Sequence, residues 1–404
     1  MKRRGKDQRE RERMKNMKKQ IRMTAVFLTL LICGALLAAC GGETTEDTIN
    51  VGYLVHITGD SALWGMDEKN GAEIAAQEIN EAGGILGKPL NLQFYDGRGN
   101  SADSVNAVKK GIEQDNMLVM AGSNLSGPTI AVGSICAKNQ VPQIASFATN
   151  INVTEEEDGS VKPWSFRLCF TDPYQGTIVA DYAYTKLNLS KAAILYDVTS
   201  DYSSGICACI EEHYLELGGE IAAKLAFRGG DVDFRAQLSE IKNQEPDVLF
   251  LPNLYKENSL IAKQAYDLGM DVVMIAGDSY SPAMFEICPE LRQYYTVQHF
   301  SWGDPSLAGI LEKYHEIHGD DVNPELNVPM GYDMVYFIKE CIEAAGSTDP
   351  EAIRSAIENA EDIQLTHARI TMDPETHNPL NKEAVIMLLE DGTDTFVERY
   401  TPVQ

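Results

Sequence analysis

From Thr48 onward, short apolar runs alternate with longer stretches in which apolar residues recur every three or four positions. The short runs at 49–55 (INVGYLV), 90–95, 117–121 and 141–145 read as strands, and 71–80, 101–114 and 128–138 carry the helical period between them. The pattern restarts after Arg167 with a helix from Asp172, a strand over 192–196, a helix from Ser203 and a strand over 220–227. It continues with a helix over 234–243, a strand over 247–251, a helix over 258–268 and a strand over 272–276. After Tyr294 the period predicts helices over 307–318, 332–345 and 350–359. The chain then closes in a hairpin of 384–390 and 395–400 around Asp391-Gly392. Such alternation predicts an α/β fold with parallel sheets flanked by helices, in two blocks. With 404 residues the chain exceeds one ordinary core, so two domains are expected.

The first 47 residues follow a different pattern. Residues 1–22 hold eleven Lys or Arg and three Asp or Glu, and an apolar stretch from Thr24 to Ala39 follows. That stretch is too short to span a bilayer comfortably and fits a signal-peptide core. It ends in Leu37-Ala38-Ala39-Cys40-Gly41-Gly42, which resembles a bacterial lipobox. Small residues before a cysteine admit the extended backbone that signal peptidase II cleaves, and the Cys40 thiol then receives the lipid. A signal peptide over 1–39, a lipidated Cys40 and a flexible tether over 40–47 are therefore expected. Translation from Met14 or Met17 would shorten the basic segment. Without residues 1–39, Lys plus Arg falls from 34 to 23 and Asp plus Glu from 60 to 57, a net charge of −34. Such an acidic chain is a poor match for nucleic acid or for an anionic membrane surface. The membrane is expected to be met through the lipid anchor alone.

Six cysteines follow Cys40, at 136, 169, 207, 209, 288 and 341, and small buried hydrophobes are their expected role. One disulfide is open to them, without a pairing. His315-x-x-His318 lies on a helix, where a solvated face is the simpler reading than a metal site. No G-x-S-x-G, H-E-x-x-H, C-x-x-C or Walker pattern occurs, so no catalytic residue, metal or cofactor is expected and an enzyme is the poorest reading.

The turn AGSNLSGPTI at 121–130 follows a strand-like run and leads into a helix at Pro128. The carboxyl edge of a parallel sheet followed by a helix N-terminus is a ready site for an anion. Its surroundings carry a resemblance. The stretch from Gly52 to Asn100, with W-G at 64–65, NGAEIAAQEINEAGGILG at 70–87 and YD at 95–96, together with GYDMVYF at 331–337, resembles type I periplasmic binding proteins of branched-chain amino-acid transporters. The leucine/isoleucine/valine-binding protein is the type case.

The resemblance implies two Rossmann-like lobes joined by three crossovers, with ligand in the interlobe cleft. On that pattern lobe 1 takes 48–167 and 299–383, and lobe 2 takes 168–298 and 384–404. It also implies the site. Ser126 matches the serine that binds the ligand carboxylate, and Thr149 matches the second hydroxyl, with the carbonyl of Phe147 accepting from the amine. Asp278 stands where the family has an acidic residue for the amine, one methylene shorter than the glutamate of the type case. Trp64 and Tyr202 match tyrosines that close the cleft. Tyr255 matches a third aromatic, with Leu254 the alternative across a one-residue gap. Helix capping, turn formation and ordinary packing are the structural roles open to the same residues. The implied function is a lipid-anchored receptor that passes an amino acid to an ABC permease and its ATPases. A sensor, or a receptor for an amide, urea or aromatic acid, is the alternative on the same fold.

Overall fold

The computed structural model describes residue 14 and residues 48–366, 368–380 and 382–402. The expected signal peptide, Cys40 and the tether lie outside the described residues.

Two sheets organise the chain. The first holds β1 (Ile49–Val55), β2 (Leu90–Asp96), β3 (Val119–Gly122), β4 (Gln143–Ala145) and β5 (Ser165–Arg167), in the order β2-β1-β3-β4-β5. All its pairings are parallel. In β1 every residue but Asn50 is buried. A parallel strand covered by helices on both faces has no polar side to show, so a continuous apolar run marks it in the sequence. The helices of this half are α1 (Ala62–Glu81), α2 (Ser101–Gln114) and α3 (Ser126–Lys138).

The second sheet begins after α4 (Asp172–Asp181). β6 (Lys191–Asp197), β7 (Glu220–Phe227), β8 (Val248–Leu251), β9 (Val273–Ala276) and β10 (Tyr294–Gln298) alternate with α5 (Asp201–Glu216), α6 (Arg235–Asn243), α7 (Tyr255–Asp267) and the short α8 (Met284–Ile287). The chain then returns to the first half, where α9 (Ala308–His318) and α10 (Val328–Ala345) pack on α1, and α11 (Pro350–Glu358) packs on α10. A small pair, β11 (Ile363–Gln364) and β12 (Arg369–Ile370), precedes the last crossing. Finally β13 (Ala384–Glu390) joins the second sheet antiparallel to β10, and β14 (Thr393–Tyr400) forms its edge, giving the order β14-β13-β10-β9-β8-β6-β7. The hairpin turn uses Asp391 and Gly392 at φ 51° and 76°, the positive values that a two-residue turn between twisted strands requires. Two α/β lobes joined by three crossovers result, the type I binding-protein fold.

Several elements depart from the sequence reading, among them the short β5, α8, β11 and β12, which it did not include. α1 starts at Ala62 rather than near 71, because Asp67 and Glu68 are buried and interrupt the apolar stripe. Asp67 accepts from Tyr314 and from Glu325 N, and Glu68 accepts from Tyr53, so carboxylates occupy positions that the pattern assigns to hydrocarbons. α10 starts at Val328 rather than 332, with Pro329 in its first turn where no donor is needed. β10, with polar Thr296 and Gln298 inside it, carries no strand signal.

Close approach of α1 and α10 depends on two glycines from the stretches that carry the resemblance. A Cβ on Gly71 would stand 2.0 Å from Val328 O, and one on Gly331 would stand 1.9 Å from Glu68 O. The six cysteines beyond residue 48 are free thiols, five of them buried. Among the described residues no group of His, Cys, Asp and Glu has the arrangement of a metal site, and no helix is long and apolar enough to cross a membrane.

Candidate functional site

The first wall of the cleft is the turn from β3 into α3. Leu125 is the N-cap in extended backbone, and Ser126 opens the helix with Pro128 in its first turn. The N–H groups at such a start lack intrahelical acceptors and carry partial positive charge. Ser126, Gly127 and Pro128 line a cavity of about 360 Å³ between the lobes, near the small end of the range for ligand sites. Ser126 Oγ accepts from Asn150 N at 3.3 Å, which ties the turn to the loop after β4. Phe147 of that loop also lines the cavity. Arg167, fully buried at the end of β5, holds the loop by donating to Ala148 O and Asn150 O, each at 2.9 Å. Thr149 stands behind the cavity surface and is fully buried. Its carbonyl accepts from Asp172 N at 2.8 Å, and its hydroxyl faces the Asp172 carboxyl.

The second wall is the end of β9. Asp278 N donates to Gln175 Oε1 at 3.1 Å. Asp278 Oδ2 lies 3.2 Å from His299 Nε2, with the two side chains 9% and 1% exposed. His299 stacks on Phe170 at 3.7 Å and meets Phe147 edge-on at 5.1 Å. Its ring is thus wedged between Phe170 and Phe147 and fixes the Asp278 carboxylate, which keeps lone pairs for a further donor. Tyr202, on α5, is buried at the cavity, and burial together with the Asp278 and Asp172 charges keeps its hydroxyl protonated. Burial also pushes the Asp172 carboxyl up to about 7, the charge of Asp278 adding to the rise and the Thr149 hydroxyl opposing it.

The lobes meet around the cavity. Trp64 lines it and donates from Nε1 to Tyr280 O across the cleft at 2.9 Å. The Trp64 ring packs on Tyr255 at 5.0 Å. Leu254, rather than Tyr255, lines the cavity, while Tyr255 backs Trp64. Ser281 Oγ donates to Glu325 Oε1 at 2.7 Å, Asn150 Nδ2 to Asp201 O at 2.7 Å, and Lys256 pairs with Asp60 at 2.6 Å. A Cβ on Gly127 would stand 2.9 Å from Asp201 Oδ2, the end of a side chain that can turn aside. The cleft is closed, and the charged residues of its lining among those described are Asp201 and Asp278.

Of the residues singled out in the sequence, Ser126, Phe147, Asp278, Trp64 and Tyr202 meet at one cavity. Sequence reading missed His299, Gln175, Asn124 and Ser279. Asn124 lay within the turn already singled out; His299 follows a strand that carried no signal.

An interlobe cleft that pairs a helix N-terminus with a carboxylate defines a solute-binding protein, a receptor that closes two lobes over a small molecule. The chain belongs to the periplasmic binding protein family, whose model matches residues 48–393. Leu/Ile/Val-binding protein homolog 1 of Brucella suis biovar 1 (strain 1330) is 26% identical over 371 residues, covering 90% of this chain and 97% of that one. The leucine-binding protein LivK of Thermotoga maritima MSB8 superposes with a TM-score of 0.81 at 28% identity, covering 88% of this chain and 99% of that one. LivJ of Streptococcus pneumoniae, in complex with isoleucine, gives 0.81 at 27% identity over 88% and 100% of the two chains. Membership of that family makes the chain a solute-binding protein and implies an extracytoplasmic location.

Proposed function

We propose that this receptor captures an amino acid by hinge closure and delivers it to an ABC permease. The observation that supports this most is the opposed polarity of the two walls. The start of α3 and Ser126 suit a carboxylate, and Asp278, 9% exposed in the other lobe, suits an ammonium. An amino acid carries both charges on one carbon and so bridges the lobes. A ligand held by one lobe alone has no differential affinity for the closed state and cannot drive closure. In this reading Ser126 binds the carboxylate, Thr149 supports it from behind, and the carbonyl of Phe147 accepts from the amine. Trp64 and Tyr202 cover the ligand, and Tyr255 braces Trp64. The lobes comprise 48–167 with 299–383 and 168–298 with 384–404, moving about the three crossovers as periplasmic binding proteins do.

Calorimetry against the amino acids and their 2-oxo analogues tests this. Amino acids should bind and compact the protein in small-angle scattering, and analogues without the amine should do neither. Equal binding of both would leave the amino-acid reading without its basis. Anchoring through Cys40 is part of the proposal. Mass spectrometry of membrane-extracted protein should find a lipidated peptide that begins at Cys40; an unmodified start elsewhere removes the anchor.

A further inference from the structure

The amino-acid head accounts for the helix start, Ser126 and Asp278, but not for two other polar side chains in the same cavity. Asn124, in the turn before α3, lines it and is 7% exposed. Neither its Oδ1 nor its Nδ2 has a hydrogen-bond partner. Ser279, next to Asp278 on the opposite lobe, lines the cavity at 3% exposure with its Oγ likewise unpartnered. The rest of the wall is mixed, with Leu125, Leu254 and Leu326 beside polar Thr199, Gln298 and Asn327.

Buried polar side-chain atoms are bonded in the large majority of cases, because an unmade bond in an apolar setting leaves desolvation uncompensated. A buried carboxamide that lines a closed ligand cavity with neither end bonded is therefore a candidate recognition group. An aliphatic ligand side chain packed against it would leave three buried polar atoms without a partner. A ligand that offered both a donor and an acceptor would satisfy them, since Asn presents one acceptor and two donors and Ser presents both kinds. A side-chain carboxylate fits poorly, because it only accepts and would share the cavity with Asp278 and Asp201.

We infer that the cavity selects an amino acid whose side chain ends in a neutral group that both donates and accepts, a carboxamide or hydroxyl, and that Asn124 is the specificity-determining residue that reads it. This rests on the amino-acid reading above and names the ligand class within it.

Matched pairs of nearly equal shape test the inference by calorimetry on the intact receptor: asparagine against leucine, glutamine against methionine, and threonine against valine. The polar member of at least one pair should bind roughly 10²–10⁴-fold more tightly than its apolar partner, the discrimination a site built on hydrogen bonds achieves. Asn124→Leu should abolish that preference, with the loss of affinity falling on the polar member of the pair. Equal losses for both members would place Asn124 at the common head and overturn its role. A wild-type protein that prefers leucine, methionine and valine overturns the inference and leaves the amino-acid reading intact. Failure of every amino acid to bind overturns both. The wild-type comparison is decisive even if the variant does not fold, and Ser279→Ala, with a smaller loss confined to the polar member, provides the second variant.

Discussion

Asp278 is where the chemistry of this cleft is most concentrated. Its backbone is held by Gln175 and its carboxylate by His299, and the His299 ring is itself locked against Phe170. A buried ammonium without a carboxylate partner is costly by several kcal/mol, so Asp278→Asn, which keeps the shape and removes the charge, should weaken binding of α-amino acids far more than binding of ligands without an amine. Ser126→Ala deletes one charge-assisted bond and should cost about 1.5–3 kcal/mol of affinity. Titration calorimetry on both variants with the best ligand checks these outcomes. If the Asn variant binds and compacts like the parent, the ammonium is held elsewhere. An unchanged dissociation constant for the Ala variant would make Ser126 only the start of a helix, bonded to Asn150.

Among the elements, the α1–α10 pair carries the scaffold of the first lobe. Two helix backbones touch here, each entering space that a methyl group on the other would fill. Neither obstacle is a flexible side chain, because the atoms met are Glu68 O and Val328 O. Gly331→Ala should therefore force the helices apart and destabilise the protein by about 1–3 kcal/mol or more. Gly309, on α9, has open space around it, and Gly309→Ala should be neutral or stabilising by up to about 1 kcal/mol. Urea unfolding of the two variants side by side provides the check. Equal midpoints would show that the helices absorb the methyl without cost.

For the whole molecule, a proton should be linked to closure. Glu325 of the first lobe accepts from Ser281 of the second, with Asp67 and Tyr314 on its own side and Tyr255 and Tyr280 facing from the other. Burial, reinforced by the Asp67 charge, pushes its carboxyl up to about 8. A carboxyl raised this way favours the closed state fully below the ordinary carboxylate range, and that contribution is lost as pH rises toward 8. Ligand affinity should fall over that window by no more than tenfold per pH unit through this group, and Glu325→Gln should flatten the fall. Calorimetry at pH 5 and pH 8 on both proteins distinguishes the cases, since an identical slope in the variant would assign the dependence to Asp172 or Glu68, both raised to about 7.

Local pattern was enough to determine the alternation of strands and helices, the terminal hairpin and the turn at 121–130. Covered parallel strands must be apolar throughout, and a helix start at a sheet edge has a recognisable composition. The place of Ser126 and Asp278 at the cavity was legible because each follows a strand at its carboxyl end and matches the pattern of the family that the chain resembles. What the pattern could not hold were partners distant in the chain. Asp67 and Glu68 hid the first two turns of α1 because their acceptors are satisfied by Tyr314, Glu325 and Tyr53, from elements far away in sequence. His299 became part of the site only when β10 set it beside Asp278 and against Phe170. Leu254 and Tyr255 exchanged expected places because a one-residue rotation at the start of α7 decides which faces the cavity. Asn124 was in plain view, yet only folding closed the second lobe over it and left its amide without a protein partner. Burial and pairing are properties of the assembled chain, and they turned an ordinary turn residue into a candidate reader of the ligand.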